Sequence, residues 1–502
     1  MKVIRFLSNK YKVDLLTKFN KALKWVKVNS ITGKGIKVTA QSKEVYPEVT
    51  GYFIPTLINW GERELALQYA NWLKSIQKPD GSWFDPFGKN PYTFDTGQIL
   101  KGLLALLEHS PNFKEPIIKG CDWIMSQILE SGQVITPDAS AWRLPGGRVV
   151  PEAIHLYALE PLRMAGNIWG IRDYSNAVDR AINYYLKEVN LTRFDTLSHF
   201  HAYIIEALID LGCTEYAQST MQEVAKYQTK SGKVPSYPDE KWVCSTGLFQ
   251  YALIWYKLGI FDRAEKAFNY ACGLQNASGG FFGSYGRRAN YFPREEISWA
   301  IKYFLDCFYW KVRSSFNDEV STFSDELYYS DGRYQFITEK ISQNKLTRVL
   351  DMGCGKGRYI KRLKSAFPGI EAYGMDISEK MLETLPKNIY AFQGTLLNMP
   401  FPDGYFDSAF CVETLEHAVN IPSAIREMGR VISKGGFLII IDKNKEKQGK
   451  LKISEWEQWF TENQVAELLK NQGFDVEVYS GIGYEQNDGS DQLFLGWVAK
   501  KL

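Results

Sequence analysis

Over the first three hundred residues the apolar positions recur on two scales. On the short scale, segments with apolar residues every three to four positions predict amphipathic helices over roughly 13–28, 62–76, 114–130, 173–187, 213–228 and 261–275. Between them lie segments that are apolar nearly all round. TGYFIPTLINWG ends at Gly61, PEAIHLYALEPLRMAG at Gly166, HFHAYIIEALIDLG at Gly212 and STGLFQYALIWYKLG at Gly259. These glycines are 105, 46 and 47 residues apart. The first interval is about two periods, and DTGQILKGLLALLEH, ending near His109, fills it. EEISWAIKYFLDC, ending at Cys307, supplies a sixth copy. A fixed period near 47 marks a repeat architecture. Helices apolar all round belong inside it and amphipathic ones outside.

The punctuation also repeats. Gln77-xxx-Gly81-x-Trp83, Gln228-xxx-Gly232 and Gln275-xxx-Gly279 each close an amphipathic helix. The glycine stops the helix and turns the chain, so that the following apolar residue packs back. Six helical hairpins with inner and outer members resemble the (α/α)6 toroid of terpenoid cyclases, protein prenyltransferases, sugar epimerases and polysaccharide lyases. The QxxxGxW at 77–83 matches the cyclase repeat motif in spacing. The aspartate-rich acid motif of the cyclases and the zinc ligands of the prenyltransferases are absent.

The resemblance implies an all-α domain over 1–315 with a funnel where the inner helices begin. The candidate cavity residues are Tyr46, Glu48, Tyr52, Asp95, Gln98, His155, His199, His201, Trp242, Arg287 and Glu295. Glu152, Cys244, Ser245, Arg288, Tyr291 and Glu296 lie beside them. Carboxylates at these positions also serve as helix caps. The set of rings, carboxylates and histidines suits a saccharide or another polar ligand. A protein-binding toroid and an isoprenoid site are the alternatives. His199 and His201 are two apart, so a helix turns them about 200° from each other. They do not form a metal pair, and no metal is expected.

A polar stretch at 316–330 reads as a linker, and beyond it the pattern changes to strands alternating with helices, which predicts a doubly wound α/β domain over 331–502. TRVLDMGCGKGRYIKRLKSAF is strand, glycine loop and helix, with Asp351, Gly353, Gly355 and Gly357 in D-x-G-x-G-x-G. The strand EAYGMDIS ends near Asp376. IYAFQGT, FDSAFCV and FLIIID are further strands, and FDVEVYSG with LFLGWVAKK form an antiparallel edge.

These motifs resemble the class I S-adenosylmethionine-dependent methyltransferases over roughly 325–502. Arg358 stands where the NAD-binding pattern has its third glycine, which separates the two families. The resemblance implies S-adenosyl-L-methionine as cofactor. Asp351 would hold its amino-acid moiety, the glycines would admit its close approach, Asp376 would bind the ribose and Ile377 would pack on adenine. Thr395 and Leu396 stand in the adenine-binding segment, Thr395 in place of the usual Asp. Glu413 would lie near the methyl donor. His417, in VETLEHAVN, is the candidate general base, with Asp442 and Lys443 as second candidates. ISEWEQWF would form a lid, contact the acceptor or pack in the core.

Composition narrows the function. The net charge of +3 gives no footprint for nucleic acid. No apolar run reaches the roughly 18 residues of a membrane span; the basic segment 1–28 could touch an anionic membrane surface. Seven scattered cysteines without CxxC spacing indicate a reducing, cytoplasmic setting. The expected activity is O-methylation of a saccharide or glycan intermediate held by the toroid. A bifunctional enzyme with a sugar lyase, hydrolase or epimerase in the toroid is the rival reading.

Overall fold

The computed structural model describes residues 14–107, 110–138, 150–343, 347–449, 451, 453, 455–483 and 493–502. Residues 1–13 of the proposed membrane-surface segment and His109 lie outside the described residues. The chain divides into two compact units, one up to Leu57 with Arg63–Lys311, the other Ile58–Glu62 with Val312–Leu502. Among the described residues no helix is long and apolar enough to cross a membrane.

The first unit is helical. Its elements are α1 (Leu15–Asn29), α2 (Pro47–Asn59), α3 (Arg63–Ile76), α4 (Thr93–Ala105), α5 (Lys114–Ser126), α6 (Leu159–Trp169), α7 (Arg172–Glu188), α8 (Ser198–Asp210), α9 (Thr214–Ala225), α10 (Ser245–Lys257), α11 (Phe261–Cys272) and α12 (Ser298–Asp318), of which α2 and α12 run past its bounds at Leu57 and Lys311. A short ribbon pairs β1 (Val243–Cys244) with β2 (Ser284–Tyr285). Burial follows the apolar pattern. Helix α10 buries every residue from Ser245 to Tyr256, whereas α7 buries one stripe of Tyr174, Ala177, Val178, Ala181 and Tyr185.

The repeated glutamines and glycines join amphipathic helices to one another. Gln77 Nε2 donates to Pro116 O of α5 at 2.8 Å, Gln228 Nε2 to Arg263 O of α11 at 2.9 Å, and Gln275 Nε2 to Lys18 O of α1 at 3.0 Å. At the same points a Cβ on Gly81, Gly232 or Gly279 would lie 2.1, 1.9 or 2.3 Å from the carbonyl oxygen of Lys119, Lys266 or Lys21. Only glycine fits there, for this close approach and for its positive φ. The last junction seals α1 against the final hairpin, where Trp25 Nε1 also donates to Glu296 at 2.7 Å. Trp83 is fully buried and donates to Leu73 O at 2.7 Å.

Two expectations change. PEAIHLYALEPLRMAG is not one α-helix: Glu152–Ala158 is a 3₁₀ segment and α6 begins at Leu159. Pro161 has no N–H to give residue 157 and its ring crowds that carbonyl, so the α-helix starts just upstream. Helix α12 continues to Asp318, so the start of the stretch read as linker is helical.

The second unit is a seven-stranded mixed sheet of β3 (Arg348–Met352), β4 (Glu371–Asp376), β5 (Tyr390–Gln393), β6 (Phe406–Val412), β7 (Ile432–Lys443), β8 (Phe474–Ile482) and β9 (Phe494–Lys501). The order is β5-β4-β3-β6-β7-β9-β8, and only β9 runs antiparallel to both neighbours. β3, β4 and β6 are nearly continuous apolar runs because parallel strands are covered on both faces. The helices are α13 (Gly332–Ser342), α14 (Arg358–Ala366), α15 (Glu379–Leu382), α16 (Ile421–Val431) and α17 (Glu462–Lys470). The strand order reverses between β3 and β6, where open α/β sheets bind ligands at the carboxyl ends.

Candidate functional site

The loop between β3 and α14 lies at that reversal. Gly353, Gly355 and Gly357 have φ of 76°, 51° and 73°. The three differ in surroundings. A Cβ on Gly353 would lie 2.1 Å from Thr414 Cγ2 and one on Gly357 2.2 Å from Leu385 Cδ2, whereas one on Gly355 would meet no atom within 4 Å. Two glycines therefore serve packing and Gly355 faces open space. Gly353 N and Cys354 N both donate to Met375 O, at 2.8 and 2.9 Å. Asp376, at the end of β4, accepts from Gly355 N at 2.8 Å and from Ser378 N at 2.9 Å. One carboxylate thus fixes the loop and the start of α15. Asp351 is 2% exposed with no partner for Oδ2; burial, and then the charge of Asp376, hold its pKa well above the carboxylate range.

Ile377 is half-buried, and its carbonyl accepts from Gln393 Nε2 at 3.1 Å. Thr395 Oγ1 accepts from Leu397 N and Asn398 N, both at 3.2 Å, so its hydroxyl closes its own turn. Leu396 is buried.

Beyond β6, Glu413 has a φ of 48°, an uncommon conformation for a residue with a side chain. Arg333 holds it: this nearly fully buried guanidinium bonds Glu413 and also Asp331 Oδ2 at 2.6 Å. Asp331 in turn caps α13 through Arg333 N and Tyr334 N. His417 is half-buried, with Nε2 3.2 Å from Glu416 Oε1 and a buried Nδ1 that has no partner. Glu416 also receives Lys443 Nζ at 2.8 Å, and Lys443 reaches Glu457 at 3.1 Å. Burial alone would raise the Glu416 pKa, but His417 and Lys443 outweigh it and hold it down at about 2. Asp442 is fully buried, and its two oxygens accept from Glu416 N at 3.1 Å and Lys443 N at 2.8 Å. Burial and the neighbouring Glu416 charge push its pKa well up. Asp442 thereby anchors the Glu416 turn from a fully buried position. Of ISEWEQWF, Trp456, Trp459 and Phe460 are buried.

The helical unit has a cavity of about 280 Å³. The structure brings Tyr46, Glu48, Tyr52, Asp95 and His199 together in its wall, with Phe94, Tyr203, Tyr291 and Trp299. His199 Nδ1 pairs with Gln250 Oε1 at 2.7 Å, and burial pushes its pKa down to about 3. Six other candidates are not in that wall. His201 stacks on Phe194 at 5.0 Å and meets Tyr251 Oη at 3.0 Å, on the other side of α8. Gln98, His155 and Trp242 are buried in packing, Glu295 is half-buried, and Arg287 is exposed. For the two histidines the physical reason is helical phase: two positions apart on α8, they point about 200° from each other, so His199 faces the cavity and His201 the packing behind it, while Trp242, Arg287 and Glu295 lie outside the α-helices.

Residues 350–440 match the family described as "Methyltransferase domain". An uncharacterized protein of Methanocaldococcus jannaschii is 31% identical over 124 residues, 25% of this chain and 52% of that protein. A sterol 24-C-methyltransferase of Gibberella zeae is 32% identical over 111 residues, 20% of this chain and 29% of that enzyme. A demethylmenaquinone methyltransferase of Deinococcus radiodurans is 30% identical over 102 residues, 19% of this chain and 42% of that enzyme. The chain carries a methyltransferase domain. It spans about half, or less, of the length of these curated relatives.

Within the methyltransferase domain, sequence reasoning missed Arg333, Glu416 and Glu457. Asp331-Gly-Arg333 carried a readable helix-cap signal. The partnership of Arg333 with Glu413 carried none, because 80 residues separate them. Glu416 adjoins His417 in sequence, and its acid character was legible there. Glu457 becomes meaningful only when Lys443 is placed beside it.

Proposed function

We propose that this chain transfers a methyl group from S-adenosyl-L-methionine to an oxygen of a saccharide or glycan intermediate. In the same reading the helical unit is an (α/α)6 toroid whose cavity binds that saccharide. The observation that carries methyl transfer is the loop at the strand reversal. Gly355 faces open space, Asp376 steadies the loop, and the buried Asp351 has an oxygen without a partner.

These residues fit the cofactor. An ammonium group would give Asp351 the charge and the donor it lacks. Asp376, backed by two N–H groups, is the acceptor for ribose hydroxyls, and Ile377 is the apolar neighbour for the adenine. When bound, the cofactor supplies an electrophilic methyl group. The protein's own contribution is orientation, together with a base. His417 is that base in this reading: Glu416, held ionised, stabilises the proton gained, and Lys443 and Asp442 fix Glu416. The toroid reading is supported by the three glutamine and glycine junctions, the last of which ties α11 to α1, and the saccharide reading by rings and carboxylates sharing one cavity.

The test uses the full chain with methyl-labelled cofactor and a panel of saccharide, quinone and sterol acceptors. Label in saccharide product supports the reading. Label only in quinone or sterol refutes the saccharide acceptor, and unchanged cofactor affinity after Asp376→Ala refutes the cofactor site. A bifunctional chain predicts that saccharide is altered without cofactor.

A further inference from the structure

The cavity of the helical unit places two carboxylates, Glu48 and Asp95, in one wall with the rings of Tyr203, Tyr291 and Trp299. Asp95 is 3% exposed, and its Oδ2 has no hydrogen-bond partner. The cations nearby do not satisfy this pair. The Lys302 ammonium lies 2.8 Å from Asp306 and over the rings of Tyr52 and Tyr303, and it only partly offsets the Glu48 charge. His199 is neutral, and Tyr46 offers Asp95 a hydroxyl without charge. Burial pushes the Asp95 pKa up to about 8, and burial plus the Asp95 charge raise that of Glu48. Two buried carboxylates among aromatic faces thus share a space with too little positive charge.

A neutral sugar hydroxyl would donate to one of these oxygens but would bring no charge to the pair. An ammonium brings three donors and a full charge, and the ring faces attract it as well. The volume of about 280 Å³ is at the small end of the roughly 300–1,000 Å³ range of ligand pockets, so it suits one ring and not a long chain.

We propose that this cavity takes a single sugar ring bearing a protonated amine, with the ammonium on Asp95 and Glu48 and the ring against the aromatic faces. The proposal rests on the reading that the cavity binds the saccharide acceptor, and it names the class of that saccharide.

The experiment is calorimetric titration of the full chain, near neutral pH and in two buffers of different ionisation enthalpy. The probes are glucosamine, N-acetylglucosamine, glucose and cyclohexylamine. Glucosamine should bind at least about tenfold more tightly than the two neutral sugars. Its binding should release protons, seen as a heat that depends on the buffer, because the ammonium displaces the proton held by the carboxylates. Asp95→Asn and Glu48→Gln should each lower the preference for glucosamine, with melting temperatures no lower than the parent's. Neutral sugars binding as well as glucosamine would overturn the amine and keep the saccharide. Cyclohexylamine binding as well as glucosamine would keep the amine and overturn the saccharide. No binding of any probe tighter than about 10 mM would overturn both. A glucosamine preference unchanged in both variants would place the amine elsewhere and overturn this site.

Discussion

Gly355→Ala separates the cofactor-facing role of the loop from its backbone conformation. The φ of 51° is one that Ala adopts at a cost of roughly 1–2 kcal/mol. The new methyl would meet no protein atom within 4 Å, so no steric cost adds to it. For a unit of this size about 1 kcal/mol is a melting shift of about 2–4 °C. Gly435→Ala is the matched control: it lies in β7 of the same unit, has a φ of 79°, and its added methyl also meets no atom within 4 Å. Both variants should melt a few degrees below the parent. Only Gly355→Ala should lose cofactor, because its methyl stands where the bound ligand approaches the backbone; loss of at least about tenfold corresponds to about 1.4 kcal/mol. Calorimetric titration with S-adenosyl-L-methionine measures affinity, and differential scanning measures melting. Equal affinity in the two variants would refute the placement of the cofactor against Gly355.

Gly232→Ala should destabilise the helical unit far more than Gly212→Ala, since both have positive φ but only the former drives its methyl to 1.9 Å from a carbonyl oxygen; comparing the two melting temperatures tests the repeat junction. His201→Ala should lower melting through lost packing on Phe194 and Tyr251, whereas His199→Ala should weaken ligand binding in the cavity. Asp95 has a raised pKa of about 8, so the native state holds a proton that the unfolded chain releases above about pH 4; its contribution to stability falls as pH climbs from about 4 to about 8. Asp95→Asn should flatten that slope and raise the melting temperature at alkaline pH. Lys443→Met leaves the buried Glu416 without its ammonium and should cost roughly 3–5 kcal/mol, read by denaturant unfolding.

The alternation of all-apolar and amphipathic helices, the glycine punctuation, the strand–loop–helix around Asp351 and the acidic end of β4 were legible because each is local. Helix and strand periods and the φ demands of turns act over a few residues, so the chain displays them directly. The start of α6 was also written locally, in Pro161, but the apolar run masked it.

Partnerships across the chain were not legible. Trp25 meets Glu296 across 271 positions, and Arg333 meets Glu413 across 80. Asp442 resembled a candidate base by its place at a strand end, and only the fold turned it inward to two backbone N–H groups. The same holds for HFHAY. Sequence alone determined that His199 and His201 point apart. Which of them enters the cavity was decided by the phase of α8 against its neighbours, because burial and charge pairing depend on contacts that residue spacing does not encode.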